Sequence, residues 1–192
     1  MSKILALILL IAASPIMCLL AVWVFLNDGT PIFYKSIRMG QNFQPFSLLK
    51  FRTMRLVSDR AIDDLSGMFF GGALIRALAL DEIPNLVAVL KGEMVFFGPR
   101  AMPFVYKEYI QKKFHKRQDV KPGLIGLAQG KCDYCTDLSI RFKYDLFQMK
   151  KLSSYRFRLF VLILTIQSLI SKRFFWGDKA ITLSKKNAAK EG

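Results

Sequence analysis

The apolar segment at residues 4–26 constrains the fold most, because it contains no charged side chain. As a helix it would be about 34 Å long, which is enough to cross a hydrocarbon core of about 30 Å. Ser14 and Pro15 lie near its midpoint. Proline removes a backbone hydrogen bond from a helix interior and disfavours helical geometry at the residue before it. The sequence therefore predicts a membrane helix that bends near its centre.

A bent segment of this kind has two possible topologies. If it re-enters the same leaflet, both of its ends stay on one face, and we predict this re-entrant helix-break-helix. A kinked helix that spans the bilayer stays open as the alternative. A cleaved signal peptide is disfavoured because the apolar run continues well past Ala12 and Ala13. The three cysteines make no secretory disulfide framework, which favours the cytoplasmic face of the membrane.

Charge and hydropathy together narrow the partners of the chain. Lys and Arg number 29 against 14 Asp and Glu, and the formal net charge of +15 calls for a polyanionic partner. The composition is also 53% hydrophobic, with a mean hydropathy of +0.29. Basic and apolar character in one chain favours a membrane with anionic lipids. Neither a zinc module nor an aromatic RNA motif is visible in the sequence, so we expect no nucleic-acid partner.

The pattern after the apolar segment predicts a mainly α protein with a small β-hairpin. Two short apolar and aromatic runs flank Gly40 and predict the hairpin. Helices are predicted at 73–90, 104–117 and 137–149. The stretches 91–103 and 121–126 contain Gly and Pro and are predicted to be connecting loops. The predicted organisation is a membrane hairpin at 1–27, a cytoplasmic catalytic domain at 28–150, and a basic segment at 151–192 that lies in the membrane interface.

Asp81 and Glu82 are adjacent acids in the apolar run LALDEIPNL. One interpretation is structural: Asp81 caps a helix, Glu82 suits its first turn, and Pro84 is tolerated there. The other is chemical, since a helix start favours a phosphate and a carboxylate can act as a nucleophile or a metal ligand. Four basic residues accompany the pair, and together they could clamp a diphosphate, although each alone is most simply a surface charge. They are Lys50, Arg52, Arg76 and Arg100.

Four features in this order resemble one known family. They are the Ser14-Pro15 break, KFRTM at 50–54, RALALDEIPNLVAVLKGEMVFFGPR at 76–100, and KPGLIGLAQG at 121–130. They are similar to motifs of the bacterial sugar transferases called small monotopic phosphoglycosyl transferases. Three features differ from the family pattern: Ala101 replaces a proline, Leu127 replaces a tryptophan, and the residues before the apolar helix lack the usual basic residues and aspartate.

The resemblance implies a transfer of sugar 1-phosphate from a UDP-sugar to undecaprenyl phosphate at the bacterial inner membrane. It implies that Asp81 is the nucleophile, that UMP is released, and that Glu82 and Asp81 place Mg²⁺. It also implies that basic side chains bind the substrate phosphates, namely Arg76, Arg100, Lys50 and Arg52. Carboxylate attack on phosphorus agrees with these residue types, because cations must neutralise the phosphate charge.

Several residues have more than one interpretation. Asp145 resembles a family carboxylate near the active site, but surface pairing with Arg141 one helical turn earlier is the simpler interpretation. Cys132, Cys135 and His115 are too few for a structural zinc site, and His115 suits the surface of a basic helix. The alternative function is a non-catalytic membrane adaptor that binds anionic lipid or a partner enzyme. The sugar, the pathway and the oligomeric state, a homodimer included, stay open.

Overall fold

The computed structural model describes residues 2–55, 68–132 and 137–170. The α-helices are α1 (Ser2–Asp28), α2 (Gly72–Ala77), α3 (Leu86–Lys91), α4 (Lys107–Lys113), α5 (Leu127–Lys131), α6 (Leu138–Lys151) and α7 (155–170). The strands are β1 (Phe33–Met39), β2 (Pro45–Phe51), β3 (Val95–Phe97) and β4 (Gly123–Ile125). Short 3-10 helices lie at Gln41–Phe43, Leu80–Asn85, Phe104–Tyr106 and His115–Gln118. The prediction of a mainly α fold with a small antiparallel hairpin is confirmed.

Strands β1 and β2 form the predicted hairpin, and its register determines which side chains share a face. Arg38 lies opposite Phe46, and Tyr34 lies opposite Lys50. Directly opposed residues of an antiparallel pair project from the same face of the sheet. Phe46 on this face is buried in the core. The hairpin therefore presents Arg38 and Lys50 beside the hydrophobic core.

Strands β3 and β4 pair in parallel, although the sequence predicted connecting loops in both places. The prediction was wrong because each strand has only three residues, too few for a period-two pattern to be recognised. The pair requires glycine at a close backbone approach. A Cβ on Gly123 would lie 2.1 Å from the amide nitrogen of Gly98. Gly98 and Gly123, which belong to the two sequence motifs at 76–100 and 121–130, therefore allow the two backbones to approach closely.

Helix α1 runs without interruption through Pro15, and the Ser14 hydroxyl donates to the Ile11 carbonyl at 2.7 Å. By length and composition alone it is able to cross a membrane. Most of its large apolar side chains are exposed, as a membrane-embedded surface requires. Helix α1 is therefore consistent with monotopic membrane association.

Both ends of α1 pack on the same domain. Ala6 is buried in a cluster with Phe46 of β2, and Val24 is buried in a second cluster with Phe51 of β2. A straight spanning helix would place its two ends on opposite sides of the bilayer. One strand contributes to the packing of both ends, although the predicted break at Ser14 and Pro15 is not seen in α1. The re-entrant topology stays a prediction. The division at residue 27 stays a prediction, because α1 contributes to both clusters.

Helix α7 has an exposed apolar stripe formed by Leu159, Ile163, Ile166 and Ile170. These positions repeat at helical spacing and lie on one side of the helix. Val161 is buried and attaches the helix to the rest of the protein. The stripe agrees with the predicted interfacial role of the C-terminal segment. That role stays a prediction, and residues 171–192 lie outside the described part of the chain.

Cysteine labelling tests the topology of α1. Cys18, Cys132 and Cys135 are first replaced by serine, and a single thiol is then introduced by Ser2→Cys or by Lys107→Cys, an exposed position of α4. We expect a membrane-impermeant maleimide to label both positions from the same side, because both ends of α1 pack on the domain that carries α4. Labelling from opposite sides would show that α1 spans the bilayer.

Candidate active site

The two adjacent acids lie in the 3-10 helix Leu80–Asn85, which we call the dyad helix. Its N-cap is Ala79, in the left-handed region at φ 55° and ψ 23°. The predicted N-cap role of Asp81 is therefore wrong. A cap at Asp81 would bond to the amide two or three residues later, and Pro84 has no amide hydrogen. The Asp81 carboxylate is left without a capping bond.

Glu82 is held by two cations from other parts of the fold. Lys50 Nζ from β2 and Arg100 Nη2 both contact Oε1 of Glu82, the latter at 3.5 Å. Burial on its own would raise the pKa of Glu82, but Arg100 and Lys50 outweigh it and lower the pKa to about 2. Glu82 is therefore ionised throughout the physiological range and links the hairpin to the segment that follows β3.

Asp81 lies beside this network but has a different environment. Its side chain is buried, and among the described residues its carboxylate makes no ion pair and accepts a hydrogen bond from its own main-chain amide alone. Burial raises the pKa of Asp81 to about 6, although the charge of Lys50 opposes the shift. The carboxylate is ionised at neutral pH and is not engaged in an ion pair with any described residue, which suits a nucleophile.

A small cavity of about 20 Å³ adjoins Glu82, and its lining combines apolar side chains with basic and amide ones. Arg38, Lys50 and Arg100 are the cations around it. Burial and the nearby charge of Arg100 lower the pKa of Arg38, so these guanidinium groups repel each other. With Glu82 as the one acid in the cavity lining, positive charge is in excess. This surface therefore favours an anionic ligand.

Of the other predicted site residues, one interacts electrostatically with Asp81 and the rest lie elsewhere in the fold. The charge of Arg76 acts on Asp81, while its Nη1 lies 3.2 Å from the sulfur of Met54. Arg52 is not brought to the dyad: its guanidinium donates to the Asp28 carboxylate at 2.5 Å and to the carbonyls of Asp28 and Gly29. Arg52 therefore anchors the end of α1. Ser14 and Pro15 lie in the exposed part of that helix.

Asp145 is buried in α6, so its predicted place on a helix surface is wrong. Its Oδ2 accepts a hydrogen bond of 2.7 Å from Nε of Arg117, which is also buried. Burial raises the pKa of Asp145, although Arg117 opposes the shift. His115 is exposed as predicted, two residues before Arg117. Cys135 lies outside the described residues, so the cysteine pair is not placed.

The residues that the sequence implies for Mg²⁺ fit that ion in type and number. Within the described ranges there is no group of three or more His, Cys, Asp and Glu side chains that could hold a metal. Mg²⁺ is commonly held by one or two carboxylates, with substrate phosphates and water as the other ligands. Asp81 makes no ion pair with the residues that the structure describes, and both ion pairs of Glu82 fall on Oε1. The dyad therefore offers carboxylate oxygens for such an ion.

Arg38 and Arg117 were not recognised from the sequence, although each had a signal. Arg38 lies across the hairpin from Phe46, so a hairpin register centred near Gly40 would have placed it on the face of Lys50. Ile110, Phe114 and Arg117 follow the spacing i, i+4, i+7, so helical periodicity would have placed Arg117 on the inward face.

Comparison with known proteins identifies similar chains in several bacteria. The uncharacterized sugar transferase EpsL of Bacillus subtilis is 33% identical over 168 residues, which cover 86% of this chain and 83% of EpsL. The UDP-glucose:undecaprenyl-phosphate glucose-1-phosphate transferase of Escherichia coli is 28% identical over 176 residues. That alignment covers 85% of this chain but 38% of the E. coli protein.

A third relative differs in the sugar that it is named for. The UDP-N-acetylgalactosamine-undecaprenyl-phosphate N-acetylgalactosaminephosphotransferase of Aeromonas hydrophila is 30% identical over 73% of this chain and 36% of its own length. The chain thus spans a little over a third of these longer relatives. The model of the family described as bacterial sugar transferase matches residues 1–172. Because this match covers most of the sequence, the chain belongs to the bacterial sugar transferase family.

Proposed function

We propose that the chain is a phosphoglycosyl transferase that moves a sugar 1-phosphate from a UDP-sugar to undecaprenyl phosphate. The names of the E. coli and A. hydrophila relatives support these two substrates. The observation that carries the proposal is the contrast within the dyad: Glu82 is bound by two cations, whereas the carboxylate of Asp81 makes no ion pair among the described residues. This reaction would begin the membrane-bound assembly of a polysaccharide or glycoprotein.

The proposed reaction has two steps at one phosphorus atom. An oxygen of the Asp81 carboxylate attacks the sugar-bearing phosphorus of the donor. The bond from that phosphorus to the bridging oxygen breaks, and UMP leaves with the electron pair. A phosphate oxygen of undecaprenyl phosphate then attacks the same phosphorus and regenerates the carboxylate. Covalent catalysis of this kind divides a difficult transfer into two easier ones.

The basic residues around the dyad are suited to the phosphate groups. Lys50, Arg38 and Arg100 lie on one side of Glu82, and the charge of Arg76 reaches Asp81. These cations oppose the repulsion between an anionic nucleophile and an anionic donor. They also stabilise the charge that develops on the leaving UMP.

Mg²⁺ bound to Asp81 and Glu82 would supply further neutralisation of the phosphate charge. The support for this proposal is the chemistry of the two carboxylates and their unequal engagement by protein cations. UMP release that continues unchanged in excess EDTA would contradict it.

The membrane arrangement suits a lipid-linked acceptor. We propose that α1 enters and leaves the bilayer from the cytoplasmic face, with the exposed stripe of α7 in the interface. The net charge of +15 would attract the domain to anionic lipid. An acceptor phosphate at the headgroup level could then reach the dyad without leaving the bilayer.

The departures from the family pattern do not favour the adaptor alternative. Ala101 and Leu127 are both buried, at 5% and 3% exposure. Ala101 packs in the cluster that contains Phe46, and the amide of Leu127 donates to the Gln148 side chain at 2.8 Å. These two residues fill the interior where they stand, so their replacement of proline and tryptophan is compatible with an intact site.

Substitution of the nucleophile tests the proposed reaction. We expect Asp81→Asn to lower UMP release from a UDP-sugar by at least about 10³-fold, because the amide cannot form the phosphoaspartyl bond. Glu108→Gln, which neutralises an exposed acid of α4, is the matched control and should keep wild-type turnover. The assay combines the full-length chain in detergent micelles with undecaprenyl phosphate, Mg²⁺ and a panel of UDP-sugars. Wild-type turnover by Asp81→Asn would remove the assignment.

The same substitution should stabilise the protein. The folded state binds a proton at Asp81 up to about pH 6, whereas an ordinary aspartate loses it near 3.8, so the free energy of unfolding falls as pH rises across this window. At neutral pH the ionised carboxylate destabilises the fold by up to about 3 kcal/mol. We expect the melting temperature of Asp81→Asn to exceed that of wild type near pH 7 and to approach it near pH 4. A difference that does not depend on pH would contradict this account.

A further inference from the structure

All three guanidinium nitrogens of Arg117 donate hydrogen bonds inside the protein. Its side chain is 1% exposed. Nε donates to Asp145 at 2.7 Å, Nη1 donates to Gln118 Oε1 at 2.9 Å, and Nη2 donates to the main-chain carbonyl of Arg100. The guanidinium also lies over the ring of Phe142, with 4.8 Å between Cζ and the ring centroid. One side chain thus connects α6 to the segment that carries Arg100.

Stability alone does not explain this buried ion pair. Removing two charges from water is costly, and replacing such a pair by apolar residues is often neutral or stabilising. Asp145 adds to the cost, because its Oδ1 is buried and finds no hydrogen-bond partner in the described part of the chain. What the pair does provide is a fixed direction for the bond to the Arg100 carbonyl.

The segment after β3 is held at three main-chain carbonyls. Each acceptor is bonded to a donor from a different part of the fold, namely the start of β4, the 3-10 helix His115–Gln118, and the end of β1. The three bonds run from Gly123 to Pro99 at 2.8 Å, from Arg117 to Arg100, and from Met39 to Met102 at 2.9 Å. The bond from Arg117 is the central one, and it is made at the residue that reaches the dyad.

The side chain of Arg100 itself is weakly held. It is half-exposed, and its ion pair with Glu82 has an N–O distance of 3.5 Å. A guanidinium recognises phosphate through directed hydrogen bonds, and small displacements weaken them. The direction of the Arg100 side chain therefore depends on how firmly its main chain is held.

We propose that Arg117 and Asp145 are positioning residues for Arg100, so that its guanidinium meets the diphosphate of a nucleoside diphosphate donor. Asp145 orients Arg117, and Arg117 holds the Arg100 carbonyl. Neither residue touches the substrate. This inference rests on the proposed function, because it assigns the diphosphate of that reaction to Arg100.

Calorimetric binding of UDP to the full chain in detergent micelles tests the inference without turnover. We expect Arg117→Lys and Asp145→Asn each to raise the Kd for UDP by about tenfold, since directed hydrogen bonds to a charged group are weakened. Asp28→Asn is the matched control, because it removes a carboxylate from a buried arginine, Arg52, that does not contact the dyad. The control should change the Kd by less than about twofold.

The effect must also depend on Arg100. In an Arg100→Ala background, Arg117→Lys should cause no further increase in the Kd, because the group that it positions is gone. In turnover assays, Arg117→Lys should raise the KM for the UDP-sugar more than it lowers kcat. A purely structural role would instead reduce the fraction of folded enzyme and lower kcat at unchanged KM. Melting temperatures of all variants show which of them fold. If Arg117→Lys does not fold, Asp145→Asn tests the inference instead, because asparagine keeps the shape of the aspartate side chain.

Two results would overturn the inference: a Kd that does not change in either single variant, or the same increase with and without Arg100. A different result addresses the proposed function. If wild type binds UDP and shows the dependence on Arg100, but releases no UMP from any UDP-sugar, the positioning role is supported and the transferase reaction is contradicted.

Discussion

The ion pairs that Lys50 and Arg100 make with Glu82 determine how the rest of the site can work. They bring β2, the dyad helix and the segment after β3 to one point, although these residues are far apart in the sequence. They also satisfy the charge of Glu82 and lower its pKa, while the neighbouring Asp81 makes no ion pair within the described ranges. Two adjacent acids thus acquire different properties from one arrangement of cations.

Several features of this region cost stability, and the cores around it support them. Ala79 adopts a left-handed conformation just before the dyad, which costs about 1–2 kcal/mol for a residue other than glycine. Asp81 and Asp145 are buried carboxylates with raised pKa values. Strained residues and buried charges without full pairing persist where the surrounding packing is strong enough to hold them in place. They are concentrated at functional sites. Here the clusters around Phe46 and Phe51 supply that packing and also hold α1.

The sequence predicted the elements whose patterns are local. The hairpin around Gly40 and the helical stretches on both sides of the dyad follow from apolar spacing and turn residues. It did not predict contacts that depend on tertiary structure. The pairing of β3 with β4 rests on backbone contact at Gly123, and Arg52 is drawn from the expected phosphate group to Asp28 by the packing of α1. The pairing of Arg117 with Asp145 depends on how α6 packs, which no local pattern identifies.

The proposed reaction requires that Asp81 forms a covalent bond to the phosphosugar. The most direct measurement is intact-protein mass spectrometry after brief incubation with a UDP-sugar and Mg²⁺ but without undecaprenyl phosphate, followed by peptide mapping. We expect a mass increase equal to one phosphosugar, located on the peptide that contains Asp81 and lost when undecaprenyl phosphate is added. UMP release without any adduct, or an adduct on another residue, would contradict it.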